Sequence, residues 1–180
     1  MANAKSNPQI VLKPQDLVVL LRLSLESGPA PSYAAMAEEL SLTASEIHAG
    51  LNRSVAAQLA RKDLAGKVSV VKEALRLFVQ HGARYAFPAT QGALSRGIPT
   101  GFAAAPLKDK IIQNNEPIPV WPYKNGTIRG TALYPLYPTV PMAAERNPAL
   151  YELLVLFDAI RGGSARERAI AIDLMNERLN

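Results

Sequence analysis

One stretch near the start of the chain decides its fold: PSYAAMAEELSLTASEIHAGLNRSVAAQLAR, residues 31 to 61. Apolar residues recur in it at spacings of three and four, first over residues 33 to 40 and again over residues 47 to 59. Such spacing is typical of helices that bury one face. The stretch therefore predicts two amphipathic helices, which are separated by the short segment 41 to 43.

Helix-start signals precede both of these helices. The Ser32 hydroxyl can accept a hydrogen bond from a backbone N–H group of the following turn. Thr43 and Glu46 form the capping-box pattern, in which the two residues satisfy each other's free backbone donors. We therefore expect one helix to begin near Tyr33 and the next to cover residues 44 to 60.

A third helix is predicted before this pair, because Pro14 suits a first turn and an apolar stripe of leucines follows it. Three helices in this order, with a short turn before the last, match a trihelical DNA-binding layout. Over about residues 10 to 62, in LKPQDLVVLLRL and SYAAMAEELSLTASEIHAGLNRSVAAQL, the chain resembles the winged helix-turn-helix proteins and most nearly the MarR-like regulators. The resemblance implies a sequence-specific regulator of transcription, a repressor in particular, that binds double-stranded DNA.

In that layout the second helix of the motif enters the major groove. Ser45 and His48 lie near its start, which favours contacts with bases, and Asn52 is suited to pairing with adenine. Arg53 can bind a guanine or a phosphate, and the cations beyond the helix would neutralise phosphates without reading sequence. Arg96 would reach a minor groove or a phosphate from a later loop. The predicted DNA-binding residues are Thr43, Ser45, His48, Asn52, Arg53, Arg61, Lys62, Lys67 and Arg96.

Positive charge is concentrated around this predicted recognition helix. Residues 44 to 100 hold eight Lys and Arg residues against three acids, a difference of +5 that equals the net charge of the whole chain. No acid occurs from residue 47 to residue 62. A phosphate backbone would therefore meet this side of the helix without acidic repulsion, although the same charges would also suit an ordinary solvated surface.

After residue 62 the sequence departs from the simplest winged helix, in which a hairpin follows the recognition helix directly. Residues 70 to 81 predict another amphipathic helix, with His81 near its C-terminal end. Residues 83 to 87 predict a short strand, and the glycines of residues 89 to 101 predict a loop. A wing is therefore expected later in the chain or not at all.

The second half of the chain has a different composition. Eight of the 14 prolines lie between residues 106 and 148, which excludes long helices there. Asn125 and Gly126 are typical of a hairpin turn and predict strands at 120–121 and 127–132. Two apolar helices are predicted from residue 148 onward, and they would either form a dimer contact or cover the core.

These patterns predict a fold that is mainly α with a small β component. We expect a trihelical winged helix-turn-helix domain over residues 1 to 105, followed by a proline-rich hairpin segment and a C-terminal helical pair over residues 106 to 180. A homodimer would place two recognition helices one DNA turn apart. The alternative function is a protein-interaction module, such as an antitoxin or complex adaptor, that binds a partner protein through residues 106 to 180.

Catalysis is not expected. The chain has no cysteine, its two histidines lack the spacing of metal ligands, and no serine lies in the G-x-S-x-G pattern. We therefore predict no cofactor and no metal. No apolar run reaches ~18 residues, and the N-terminus lacks the apolar core of a signal peptide, so we expect a cytoplasmic protein without membrane contact.

Overall fold

The computed structural model describes residues 9–28, 30–111 and 117–179. The described chain is mainly helical with two small β-sheets, which confirms the coarse fold prediction. Its α-helices are α1 (Pro14–Ser24), α2 (Tyr33–Leu40), α3 (Ala44–Ala56), α4 (Lys72–Leu77), α5 (Ala83–Ala86), α6 (Val140–Arg146), α7 (Pro148–Gly162) and α8 (Ala165–Leu179). Its strands are β1 (Ala60–Lys62), β2 (Val68–Val70), β3 (Gln91–Pro99), β4 (Pro119–Pro122) and β5 (Ile128–Leu133).

The starts of α2 and α3 are capped as the sequence predicts. The N–H group of Ala35 donates to the Ser32 hydroxyl at 3.2 Å. The N–H group of Glu46 donates to Thr43 Oγ1 at 3.1 Å, and the N–H group of Thr43 donates to Glu46 Oε2 at 2.8 Å. Both caps use side chains within three residues of the helix start, so local sequence is enough to specify them.

The C-terminal end of α3 differs from the prediction, because the helix ends at Ala56 and does not continue to residue 60. Gln58 adopts a left-handed backbone conformation with φ of 61°. The N–H group of Leu59 then bonds to the carbonyl of Ser54 at 3.0 Å, which closes the last turn. The chain leaves the helix axis there, and Leu59 is buried beyond the end of the helix.

A β-hairpin follows α3 directly, contrary to the expectation that no wing-like hairpin lies there. Strands β1 and β2 pair antiparallel, with Arg61 opposite Ser69. In the connecting turn the Asp63 carboxylate accepts a hydrogen bond from the N–H group of Lys67 at 2.8 Å. Gly66 takes a φ of 83°, a conformation that glycine adopts without steric cost. Each of these strands has three residues, which is too short for a recognisable alternation of apolar and polar side chains. The sequence therefore did not predict them.

The helix predicted over residues 70 to 81 begins at Lys72 and extends to Ala86, so the strand predicted at residues 83 to 87 is wrong. A π-helical segment, Phe78–Gly82, joins α4 to α5. Val79 and Ala83 continue the buried face of α4 through this segment. Their burial offsets the cost of placing Gly82 inside a helix, which is about 1 kcal/mol. His81 is exposed within the π-helical segment and does not cap a helix end.

The loop predicted over residues 89 to 101 is also wrong, because it contains the nine-residue strand β3. Strand β3 pairs antiparallel with β4 and with β5, while β4 and β5 are parallel, which closes a small three-stranded barrel. Both strands of the hairpin predicted around Asn125 are therefore present as β4 and β5. They are parallel to each other, however, so the predicted antiparallel pairing between them is wrong. A Cβ atom on Gly97 would lie 1.9 Å from the carbonyl oxygen of Trp121, so the strands pack closely only because that residue is glycine.

Helix α7 lies at the centre of one hydrophobic core that draws on both halves of the chain. All of its residues from 153 to 160 are buried, and it contacts α1, α5, α6 and α8. Strand β3 lies before the predicted domain boundary at residue 105 and pairs with two strands beyond it. Packing is therefore continuous across that boundary, and the apolar face of α7 is covered by the chain itself.

A buried polar network fastens the barrel to α7. The Asp158 carboxylate accepts hydrogen bonds from Thr100 Oγ1 at 2.7 Å, Trp121 Nε1 at 2.5 Å and Arg161 Nε at 2.8 Å. Arg161 also donates to the carbonyl of Tyr134 at 2.7 Å. Every polar partner in this network is satisfied, which is what allows charged groups to be buried there.

Replacing Asp158 with alanine should therefore destabilise the protein strongly. The change leaves the Arg161 guanidinium, 4% exposed, without its counter-charge, and breaking such a buried pair costs about 3–5 kcal/mol. Urea unfolding followed by Trp121 fluorescence measures the loss. Asp173→Ala, at an exposed position on α8, is the matched control, and an equal loss in both variants would contradict the role given to the network.

Candidate nucleic-acid interface

The outer face of α3 presents uncharged polar side chains. Ser45, His48 and Asn52 are exposed there, on the side of the helix opposite its buried residues. The amide nitrogen of Asn52 lies 3.4 Å from His48 Nε2, and the His48 ring packs 5.9 Å from the ring of Tyr33. These contacts join His48 and Asn52, and Ser45 is exposed on the same side of the helix, so this face offers a hydroxyl, an imidazole and an amide.

Thr43 is exposed at the start of this face and serves the helix cap. Its hydroxyl accepts from the N–H group of Glu46 and donates to Glu46 Oε2 at 2.9 Å. Hydrogen bonds from the backbone and then the side chain of Thr43 lower the pKa of the Glu46 carboxyl below its usual value. The carboxylate therefore stays ionised beside the positive end of the helix, which stabilises the first turn of α3.

Arg53 does not share the open environment of the other predicted residues. Its guanidinium donates two hydrogen bonds to Asp16, each of 2.7 Å, and these bonds raise the pKa of Arg53. Asp16 is completely buried and also accepts from the N–H group of Lys13 at 2.8 Å, at the start of α1. A Cβ atom on Gly50 would lie 2.9 Å from Asp16 Oδ1, so glycine permits this close approach of α1 and α3. The Arg53 side chain thus joins two helices.

The hairpin after α3 holds the next three predicted cations. Arg61 and Lys62 lie on β1, Lys67 immediately precedes β2, and all three are exposed. Within the described ranges none of them takes part in an ion pair. Leu64 stands fully exposed at the tip between them. The hairpin therefore combines an apolar tip with three exposed cations, next to the end of α3.

Arg96 lies in the other sheet. It is exposed on β3, where it stands directly opposite Arg129 of β5. The structure thus brings Ser45, His48 and Asn52 together on α3 and three cations together on the hairpin. It holds Arg53 against Asp16 and places Arg96 on the barrel.

Two features of this surface were not predicted from the sequence, namely the hairpin β1–β2 and the position of Arg129. The hairpin had one usable signal, an aspartate and a glycine three positions apart, Asp63 and Gly66, between two short apolar segments. Arg129 had none, because its position opposite Arg96 depends on a pairing between strands more than 30 residues apart. A cation on a strand becomes part of a surface only when the register is known.

No family model matches this chain, and neither a curated protein nor a solved structure matches it. In the part of the chain that the structure describes, no group of three or more His, Asp or Glu residues is placed to hold a metal ion. None of the described helices combines the length and the apolar character needed to cross a membrane.

Removing the Arg53 guanidinium should reduce stability as well as any binding. In Arg53→Ala the buried Asp16 carboxylate loses its partner, and we expect a loss of about 2 kcal/mol in the free energy of unfolding. This is less than for a fully buried pair, because Arg53 is 20% exposed. Urea unfolding measures the loss. The control is Arg76→Ala, which breaks an exposed ion pair with Glu73 and should leave stability unchanged; similar values for both variants would refute the structural role.

The Glu46 cap should give a characteristic pH dependence. Because folding lowers the pKa of this carboxyl, its contribution to stability is present above the usual pKa of 4.5 and is lost as the pH falls through the lower folded value. Carbon NMR titration of Glu46 should give a midpoint below 4.5 in the wild type and a higher one in Thr43→Ala. The same variant should lose about 1 kcal/mol of stability at neutral pH. An unchanged midpoint would contradict the cap as described.

Proposed function

We propose that this protein is a winged helix-turn-helix regulator of transcription that binds double-stranded DNA in a sequence-specific manner and acts as a repressor. The observation that supports this proposal most is the hairpin β1–β2, which follows α3 directly and carries exposed cations beside an uncharged polar helix face. Helices α1, α2 and α3 with this hairpin have the element order of a winged helix. They also extend the resemblance noted in the sequence beyond residue 62.

In the proposed complex α3 lies in the major groove. Its 13 residues give a length of about 20 Å, and the groove, about 12 Å wide, admits one α-helix. Asn52 would pair with an adenine, and Ser45 and His48 would contact bases near the helix start. Glu46 is the one acidic residue within α3, and its carboxylate accepts hydrogen bonds from Thr43 in the helix cap.

The hairpin would act as the wing. Arg61, Lys62 and Lys67 would neutralise backbone phosphates. Each such contact makes the slope of log K against log salt concentration steeper by about 0.9. Leu64 at the tip is suited to an apolar contact in the minor groove, where inserted apolar side chains are common among DNA-binding proteins. These groups would fix the position of the protein, while α3 would read the sequence.

We assign Arg53 to positioning rather than to base contact, because the Nε and Nη2 groups of its guanidinium already donate to Asp16 in the free protein. To turn these donors toward a guanine, Arg53 would have to leave a completely buried carboxylate without its counter-charge, at a high cost in free energy. It supports binding by holding α3 against α1.

Homodimerisation and a cytoplasmic location stay predictions. Two-fold symmetry would suit a pseudopalindromic operator, but the apolar face of α7 is buried within the chain, so a dimer would use another surface. The same burial weakens the alternative of a protein-interaction module. Most apolar side chains of residues 148 to 162 already contact the protein's own core.

The proposal predicts different effects for helix and hairpin variants. Against duplexes selected from a randomised pool, Asn52→Ala should lose about 1–3 kcal/mol of binding free energy and relax the preference at one base pair. Lys62→Ala should weaken binding to all sequences alike and reduce the slope of log K against log salt by about 0.9. Fluorescence anisotropy across a salt series measures both effects.

Lys108→Ala serves as the control, because Lys108 is an exposed cation outside α3 and the hairpin. It should bind as the wild type does. A slope near zero for the wild type would contradict the proposal. Helix and hairpin variants whose DNA affinity equals that of the control would also contradict it.

A further inference from the structure

Two arginines of the barrel face each other, an arrangement that does not stabilise the sheet. Arg96 and Arg129 stand directly opposite each other across the antiparallel pair of β3 and β5. Like charges in such a position destabilise a sheet. Both side chains are exposed, and neither guanidinium has a hydrogen bond or ion pair within the described residues. We call these two residues the barrel arginines.

A third cation lies at the same end of the barrel. The N–H group of Tyr123 donates to the carbonyl of Arg96 at 3.1 Å, which fixes the start of the turn before β5. Lys124 follows in this turn and is exposed, as are Asn125 and Thr127. The acid in contact with this end is Glu145, whose carboxylate is bound by the Tyr123 hydroxyl at 2.8 Å.

A continuous chain of contacts joins this end of the barrel to the turn between α2 and α3. Glu145, bound to Tyr123, is followed in α6 by Arg146. The Arg146 guanidinium donates to Ser41 Oγ at 2.9 Å and to the carbonyl of Glu38. Ser41 lies two residues before Thr43, the N-cap of α3. Only two side-chain contacts therefore separate the strand of Arg96 from the N-terminal end of the proposed recognition helix.

Basic groups are thus connected to both ends of α3. The hairpin cations follow its C-terminal end, and the barrel arginines connect to its N-terminal end through Tyr123 and Arg146. Two close guanidinium groups without acidic partners suit the phosphates of a nucleic-acid backbone, because a phosphate neutralises the repulsion between them.

We propose that the barrel arginines, with Lys124, bind backbone phosphates of the DNA outside the segment that α3 contacts. This inference rests on the proposed function and lengthens its binding site. The contact is with phosphate alone, so it adds affinity and salt dependence without adding base preference.

Duplex length separates this contact from the central one. We would compare labelled random-sequence duplexes of about 12 and about 30 base pairs, that is about one and three turns. The double variant Arg96→Gln/Arg129→Gln should bind the long duplex about tenfold more weakly at 0.1 M salt, with a salt slope reduced by about 1–2. Its affinity for the short duplex should be unchanged. The hairpin variant Lys62→Gln/Lys67→Gln should weaken binding to both.

The control Lys108→Gln/Arg166→Gln removes the same charge from two other exposed positions and should match the wild type on both duplexes. Thermal melting tests folding, and the barrel variant should melt no lower than the wild type, because it removes a like-charge pair.

The possible failures are distinguishable. No salt-dependent binding by the wild type would overturn the proposed function itself. Normal wild-type and hairpin-variant behaviour, with a barrel variant equal to the charge control, would overturn only this inference. Stabilisation of the wild type by millimolar phosphate at constant ionic strength, absent from the barrel variant and without any effect on DNA binding, would also overturn it and identify a site for a free anion.

Discussion

The structure depends on the burial of α7. Residues 153 to 160 of α7 are all buried, which requires other elements to cover the helix on every side, and here these elements come from both halves of the chain. Helix α1 covers it from the N-terminal part, α8 from the C-terminal part, and the barrel is fastened to it through Asp158. This requirement explains why no break in packing occurs near residue 105.

The same helix fixes the position of the helix-turn-helix segment, because the residues just before it contact α2. Asn147 caps α7 by accepting from the N–H group of Leu150 at 2.9 Å, and its amide donates to Glu39 at 2.6 Å. Arg22 of α1 donates to the same Glu39 carboxylate at 2.7 Å. The end of α2 is thus tied to the core on one side and to α1 on the other.

Local signals predicted the fold well where the stabilising partners are close in sequence. Ser32 and the pair Thr43 and Glu46 fixed the helix starts, because a cap involves only one turn. The signals failed where the partner is distant. The residues of β3 have the composition of a loop, and they form a strand because β4 and β5 supply hydrogen bonds from more than 20 residues away.

The sequence by itself determined the three N-terminal helices, the caps of α2 and α3 and the excess of cations after residue 44. Only the tertiary structure decided which of those cations are available to a partner. Arg53 is engaged by Asp16, 37 residues earlier, whereas Lys62 is exposed on a hairpin and Arg96 faces Arg129 on the barrel. The reason is physical: the free energy of a charged side chain depends on the groups and solvent around it, and these are set by contacts between distant parts of the chain.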